Sequence, residues 1–215
     1  MSNPETVRRY GRIARWFHAG IYLTVLFLLG TGWWFLTVGY ERPTPFGALT
    51  GRPDGELHEF AGYGMLLVLL AGLVLGARGL RTFVRETLRA ERGDGRWLAS
   101  APRAAFTGRF PAHDGQFDPG QRLANVAMVG TLGALALSGL GMLYLPAGAL
   151  ALAAADVHRW SAYLFTPVVL GHIVIAAGVL PGYRGVWRSM HLGGRLPVAV
   201  ARRLWPGWLA EHLKR

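Results

Sequence analysis

Four histidines of this chain lie within, or at the ends of, long apolar runs. They are His18, His58, His158 and His172. A histidine at membrane depth is costly to place and marks a functional site by default, and a neutral imidazole nitrogen is a common metal ligand. His158 and His172 are fourteen residues apart, which is about 21 Å along a helix and within about 40° of one face. One helix therefore offers two ligands at two depths.

Composition predicts that these runs cross a membrane. The chain is 52% hydrophobic and 16% charged, against roughly 25% charged residues in a soluble domain. Each run has about 20 residues or more, enough to span roughly 30 Å of hydrocarbon. We therefore predict an all-α integral membrane four-helix bundle that forms a single domain over residues 1–215. The predicted spans are 16–38, 58–77, 123–145 and 158–180.

Basic residues predict the orientation of these spans. Arginines crowd the N-terminal segment that contains Arg9, the connection 78–122 and the tail 184–215. Since positive charge is retained on the cytoplasmic side, both termini and the 78–122 loop are expected in the cytoplasm, with 39–57 and 146–157 outside. The net charge of +11 is then explained by basic residues that lie on the cytoplasmic side, next to anionic lipids. Nucleic-acid binding is excluded, because it needs a basic face on a folded soluble domain.

This topology sorts the histidines into two pairs by depth. His58 and His158 lie near the outer side, whereas His18 and His172 lie near the cytoplasmic side. A six-coordinate haem iron takes two axial ligands on opposite faces, so each pair predicts one haem b. Cysteine is absent, which excludes covalent haem attachment through C-x-x-C-H and iron–sulfur ligation within this chain. Taken alone, each histidine could instead be interfacial, and His172 could serve a proton path.

Glycines near the ligands fit two interpretations. They would give a porphyrin room, but small residues also let membrane helices pack closely. The glycines concerned are Gly20, Gly62, Gly64 and Gly171, with Gly130, Gly133, Gly139 and Gly141 on the third span.

The segments outside the spans are predicted to be only partly regular. A helix over 78–92 is expected to extend the second span, after which glycines and prolines break regular structure. An amphipathic stretch at 196–208 is expected on the membrane surface or under a partner. His113, His191 and His212 lie in these segments and are interpreted as solvated or interfacial.

Several motifs resemble the gamma-subunit family of respiratory formate dehydrogenases, di-haem cytochromes b that anchor a molybdenum or tungsten enzyme. The resemblance covers nearly the whole chain, including the two fourth-span histidines fourteen residues apart. The family's Arg-x-x-x-His-Trp segment corresponds to residues 12–18, with the Trp before the His here. Its Tyr-Asn-x-Gly-Gln-Lys segment corresponds to 117–122, with Asp in place of Asn, and its Ser-Gly-Leu to 138–140. The tail resembles it in Met190–Gly193 and Pro206–Glu211.

The resemblance implies ligands, a substrate site and partners. His58 and His158 would ligate the haem facing the dehydrogenase, and His18 and His172 the cytoplasmic-side haem. Menaquinone or ubiquinone would bind beside the inner haem at Asp118, Gly120, Gln121 and His172, to which we add Asn125 one turn further on. The alternative for this segment is a helix N-terminal turn capped by Asp118. The implied partners are an iron–sulfur beta subunit and a molybdenum or tungsten alpha subunit. Assembly into a higher oligomer is left open.

These observations predict an electron-transfer subunit of the bacterial cytoplasmic membrane. Within the same class, a hydrogenase or thiosulfate-reductase-like cytochrome b and a free-standing cytochrome b561 quinone oxidoreductase remain alternatives. A histidine-lined transporter is a different class. It predicts carboxylates or broken helices near the midplane, and this chain has only Pro167 there. The sequence does not identify the electron donor.

Overall fold

The computed structural model describes residues 5–213 and is almost entirely helical. Within this range ten helices and two short strands follow one another, with a 3₁₀ turn at Pro181–Tyr183. In chain order they are β1 (Thr6–Arg8), α1 (Arg12–Thr37), α2 (Pro45–Thr50), α3 (Asp54–Leu75), α4 (Ala77–Thr87), α5 (Asp94–Thr107), α6 (Pro119–Tyr144), α7 (Ala149–Ala176), α8 (Arg188–His191), β2 (Arg195–Pro197), α9 (Val198–Leu204) and α10 (Pro206–Leu213).

Four of these helices, α1, α3, α6 and α7, are long and apolar enough to cross a membrane. The predicted all-α integral membrane fold is therefore confirmed. All four helices begin earlier than the predicted apolar runs, and for two of them this changes where the histidines lie. Helix α3 begins at Asp54, and Asp54 and Glu56 lie in its first turn, where the helix dipole favours acidic residues. Helix α7 begins at Ala149. His58 and His158 consequently lie inside their helices and not at the ends.

The chain divides into two compact units, each built from separate segments. We call the first the terminal unit; its described part comprises residues 5–15, 78–129 and 167–213. The second, the central unit, comprises residues 16–77 and 130–166. His58, His158 and His18 belong to the central unit, whereas His172 belongs to the terminal unit.

The terminal unit contains a small apolar core that joins both ends of the chain. Strands β1 and β2 pair antiparallel, with Val7 opposite Leu196. Leu196 and Trp205 are almost completely buried in the same cluster. The tail was expected to lie on a membrane surface or under a partner. Instead, its apolar side chains pack on the N-terminal arm and on α5.

The connection 78–122 is more regular than predicted. The first helix ends at Thr87, and α5 forms where glycines and a proline indicated irregular structure. Pro102 lies inside α5, and Gly108 ends the helix with φ 72°, a left-handed conformation that glycine adopts without strain. Because Trp97 and other side chains of α5 are buried, tertiary packing outweighs the weak local propensity.

Close helix contacts organise the central unit around the histidines. A Cβ on Gly72 of α3 would lie 2.2 Å from the Phe17 ring of α1, and one on Gly20 would lie 3.1 Å from Val68. These glycines therefore allow α1 and α3 to pack closely. On the loop side, the Asp54 carboxylate accepts hydrogen bonds from the backbone N–H and the hydroxyl of Thr44. This contact ties α2 to the start of α3, one turn before His58.

Candidate functional site

His58 of α3 and His158 of α7 meet in the central unit. Their ring centres are 6.3 Å apart and their planes are inclined by 72°. Both side chains are half-buried. The structure therefore brings together the two histidines that the sequence assigns to the outer level.

The surroundings of His158 select one tautomer of its ring. Its Nδ1 lies 3.0 Å from the carbonyl oxygen of Leu135 and 3.1 Å from Oγ of Ser138. The Ser138 hydroxyl itself donates to the carbonyl of Ala134, and a carbonyl oxygen can only accept. His158 Nδ1 must therefore carry the proton and donate. In the neutral ring this leaves the Nε2 lone pair available for a metal.

Thr31 of α1 has the same effect on His58. Its Oγ1 lies 2.6 Å from His58 Nδ1 and 3.0 Å from the carbonyl oxygen of Phe27. When the Thr31 hydroxyl donates to that carbonyl, it accepts from His58 Nδ1–H, and His58 Nε2 keeps its lone pair. Thr31 and Ser138 are 4% and 6% exposed, so water does not compete for these contacts. Such outer partners commonly orient a metal-ligating histidine.

The donor set fits the axial ligation of a haem. A metal–imidazole nitrogen bond is about 2 Å and the nitrogen is about 1 Å from its ring centre, so two rings on opposite faces of a metal have centres about 6 Å apart. Among residues 5–213 no group of three or more His, Cys, Asp or Glu side chains could hold a bare metal ion. Two imidazoles match an iron whose other four ligands come from a macrocycle.

Some of the predicted glycines leave room for a porphyrin, whereas others allow helices to pack closely. A Cβ on Gly139 would lie 3.4 Å from the His158 ring, and one on Gly32 would lie 3.7 Å from the His58 ring. Gly62 and Gly64 face open space. This is what we expect if a bulky group such as a porphyrin binds beside α3. Gly141 lies against Ala154, with 3.0 Å to the built Cβ, and is a helix contact.

The inner pair is divided between the two units. His18 of α1 lies in the central unit with the Tyr22 ring 5.6 Å away. His172 of α7 lies in the terminal unit. Both are half-buried. Their pairing stays a prediction.

Three of the five residues predicted to bind quinone, Asp118, Gly120 and Gln121, form the cap and first turn of α6, whereas Asn125 lies one turn further on and His172 lies in α7. Asp118 Oδ1 accepts from the backbone N–H of Gln121 at 2.8 Å, and Gln121 Oε1 accepts from the backbone N–H of Asp118 at 3.3 Å. This reciprocal pair is a capping box. The interpretation of this segment as a turn capped by Asp118 is confirmed, whereas its role toward quinone stays a prediction.

Aromatic and polar partners surround this turn. Gln121 Oε1 also accepts from Trp205 Nε1 at 2.9 Å, and a Cβ on Gly120 would lie 3.0 Å from the Trp97 ring. Asn125 Nδ2 donates to Thr87 Oγ1 at 3.1 Å. The first turn of α6 is thus covered by tryptophans from α5 and from the tail.

Asp118 is a buried titratable group within this turn. It is 2% exposed, and burial raises the pKa of its carboxyl group. The backbone of Gln121, the charge of His113, the backbone of Gly120 and the charge of Arg9 lower the same pKa, in that order. Burial outweighs these contributions, so the carboxyl group holds a proton more strongly than an exposed aspartate.

His113 is not the solvated residue that the sequence predicted. It is 7% exposed, with Nε2 at 2.8 Å from the carbonyl of Leu204 and Nδ1 at 3.2 Å from that of Asp114. Because both partners are acceptors, both hydrogen bonds form only when both nitrogens carry protons. No local sequence pattern predicts that His113 is buried, because its partner Leu204 lies 91 residues further along the chain. His191 and His212 are exposed, as predicted.

Comparison with known proteins gave one family match. The sequence model of the family described as prokaryotic cytochrome b561 matches residues 9–193. This range includes all four transmembrane histidines and the first turn of α6. A search of curated proteins found no match.

Proposed function

We propose that this chain, which belongs to the prokaryotic cytochrome b561 family, is the membrane-anchor subunit of a respiratory formate dehydrogenase. Family membership supports the coarser function, a multi-pass membrane cytochrome b that binds haem b and transfers electrons. The finer proposal adds two haems b, with electrons passing from the partner's iron–sulfur subunit to a quinone. It rests on the motif resemblance at 117–122 and in the tail.

The His58–His158 pair carries the haem-binding part of this proposal. Two imidazoles with ring centres 6.3 Å apart, each with Nδ1 next to a buried oxygen, would hold the iron of a haem b through their Nε2 atoms. A bis-imidazole haem supplies one-electron redox chemistry without an open coordination position. Thr31 and Ser138 hold the two rings in the ligating tautomer.

A second ligand pair is assigned to His18 and His172. The two ligands of α7, His158 and His172, lie about 21 Å apart along the helix axis. A charge that crosses the whole membrane does work of about 2.3 kcal/mol per 100 mV, and movement between these two levels accounts for part of that work. This arrangement supports energy conservation by a quinone that takes its protons from the cytoplasm.

The quinone, menaquinone or ubiquinone, is assigned to Asp118, Gly120, Gln121, Asn125 and His172. The raised pKa of Asp118 supports a role in holding a proton near this site. The proposed partners are the iron–sulfur beta subunit, the molybdenum or tungsten alpha subunit and the anionic lipids of the bacterial cytoplasmic membrane.

Spectroscopy of histidine variants tests the ligands. Wild-type protein in mild detergent should show b-type absorption bands after reduction, with two haems per chain. His58→Ala and His158→Ala should each remove the same single haem. The control is His212→Ala, which changes an exposed histidine of α10 and should retain both haems. Full haem content in both ligand variants would exclude this pair.

Co-purification distinguishes the donors. An iron–sulfur subunit and formate-dependent haem reduction are expected if the formate dehydrogenase assignment holds. The family match itself also favours a free-standing cytochrome b561 quinone oxidoreductase. That protein would purify alone and would be reduced by quinol but not by formate.

A further inference from the structure

Helix α4 leaves a row of apolar side chains uncovered. Leu80 and Val84 are 38% and 45% exposed, and Leu88, which directly follows the helix, is 71% exposed. The N–H of Leu88 donates to the carbonyl of Val84 at 3.0 Å, so the helical hydrogen bonding reaches Leu88. Residues four positions apart lie on one side of a helix. These three side chains, which we call the apolar row, therefore form one continuous surface.

Two arginines flank the apolar row. Arg81 and Arg85 each follow a residue of the row and lie four positions apart, so they form a parallel row of positive charge. Both side chains are exposed. Arg85 is paired with Glu86 at 3.4 Å, but its side chain is 76% exposed, and an ion pair in solvent contributes little. The two cations therefore remain available to an external anion.

Another side of α4 is occupied by contacts within the terminal unit. The Phe83 ring lies 5.7 Å from the Phe117 ring, and Glu86 Oε2 accepts from the backbone N–H of Gln116 at 2.8 Å. Glu86 is the only acidic residue of α4, and it is buried. These contacts determine which side of α4 faces the protein. The apolar row and the two arginines consequently face outward, with no acidic side chain of the helix among them.

The position of α4 in the chain places it at the edge of a bilayer. Helix α3 is long and apolar enough to be a membrane span and ends at Leu75, and α4 begins at Ala77. The start of α4 therefore lies where hydrocarbon gives way to lipid head groups. A helix with an apolar side and arginines beside it lies in this interface, with its apolar side chains in the acyl boundary. Arginine stems extend along the apolar surface while the guanidinium groups stay among the head groups.

We propose that α4 is an interfacial helix that binds anionic phospholipids, with Arg81 and Arg85 on the phosphates and the apolar row among the acyl chains. The inference rests on the proposed partnership with anionic lipids, for which it names the binding residues, but not on the formate donor or on quinone. A lipid surface suits α4 better than a protein partner does, because the apolar row adjoins the end of a span and is flanked by cations. The sequence pattern indicated only that this segment extends the second span.

Lipid contact at the apolar row of the full haem-loaded chain tests this inference. Because the chain contains no cysteine, Val84→Cys takes a fluorescent label at a single position. In nanodiscs of phosphatidylcholine and phosphatidylglycerol, either lipid carrying a nitroxide on its acyl chain quenches the label on contact. We expect quenching by both lipids, with a preference for phosphatidylglycerol of about fivefold or more, since each arginine near an anionic surface contributes about this factor.

Charge variants of the labelled chain identify the binding residues. The double variant Arg81→Gln, Arg85→Gln should bring the preference for phosphatidylglycerol to within about twofold of equal binding. The matched control is the double variant Arg96→Gln, Arg103→Gln, which removes two exposed arginines of α5 in the same unit. It should keep the preference within about twofold of the chain with all its arginines.

Several results would overturn the inference. These are a label that neither lipid quenches, equal quenching by both lipids, and a preference that survives Arg81→Gln with Arg85→Gln. Quenching that appears only after removal of a co-purified polypeptide would identify a protein docking surface instead. If Val84→Cys does not retain haem, the label is attached to Leu80→Cys.

Native mass spectrometry of wild type released from the same nanodiscs separates two failures. If the chain retains phosphatidylglycerol over phosphatidylcholine while the label on α4 shows no preference, the α4 inference is overturned and the partnership with anionic lipids stands. If the chain retains both lipids equally, that partnership fails, and the α4 inference fails with it.

Discussion

Replacing Thr31 by valine tests how the chain selects the ligating tautomer of His58. Valine matches threonine in shape but cannot accept the proton of His58 Nδ1, which lies 2.6 Å from the hydroxyl oxygen. Thr31 is 4% exposed, so solvent cannot replace the acceptor. A buried donor left unsatisfied costs about 1–3 kcal/mol. This agrees with the roughly 10- to 100-fold loss of metal affinity typical when an outer partner of a metal ligand is removed.

Without the Thr31 hydroxyl as acceptor, the His58 ring is no longer held in one tautomer. Without Thr31, the proton can move to His58 Nε2, which removes the lone pair that would ligate iron. We therefore expect Thr31→Val to weaken haem binding about 10- to 100-fold. The assay is haem transfer to an excess of a haem-scavenging apoprotein, followed by absorption.

Thr37→Val is the matched control. Thr37 lies on the same helix and donates to the backbone four residues earlier, as Thr31 does, but its side chain is exposed. Ser138→Ala should cost less than Thr31→Val, because the carbonyl of Leu135 still accepts from His158 at 3.0 Å. Equal haem retention in Thr31→Val and Thr37→Val would refute the tautomer argument.

Two further predictions concern buried charge in the terminal unit. Burial raises the pKa of Asp118 above its unfolded-state value of 3.8, so its contribution should favour folding most at low pH and decline as pH rises through the raised pKa. Thermal unfolding of Asp118→Asn, which retains a capping side chain, should lack this decline; an unchanged pH profile would contradict the assignment. Arg122, 5% exposed, pairs with Asp94 at 3.1 Å and Glu91 at 3.3 Å, so Arg122→Gln should destabilise by about 3–5 kcal/mol. In the same thermal unfolding assay, Arg52→Gln, at an exposed pair, should cost less than about 1 kcal/mol, and equal losses would refute the buried-charge argument.

The spans were predictable because membrane insertion depends mainly on summed apolar composition over about 20 residues. The residues at which the helices begin were less predictable, because polar first-turn residues such as Asp54 belong to the helix but not to the apolar run. Helix α5 was missed because Pro102 and the flanking glycines argue locally against a helix. Burial of Trp97 against other segments, which a local pattern does not contain, stabilises it.

The candidate sites divide in the same way. The histidines could be identified from the sequence because an imidazole at membrane depth has a high free-energy cost and is therefore rare in apolar runs. Thr31 and Ser138 could not, since a hydroxyl in a membrane helix usually bonds its own backbone. Both do so here and also accept from a histidine on another helix.

By itself the sequence determined the four spans and excluded cysteine-based cofactor chemistry within this chain, and it predicted the levels of the histidines. These follow from residue type and spacing along one chain. Only the tertiary structure decided which nitrogen of His58 and His158 is available, because the hydroxyls that select it lie 27 and 20 residues away. It also placed the Arg9 guanidinium 4.4 Å and 4.3 Å from the ring centres of Trp205 and Trp208 in the tail. Hydrogen-bond donors and acceptors act over about 3 Å, and only folding brings such distant residues that close.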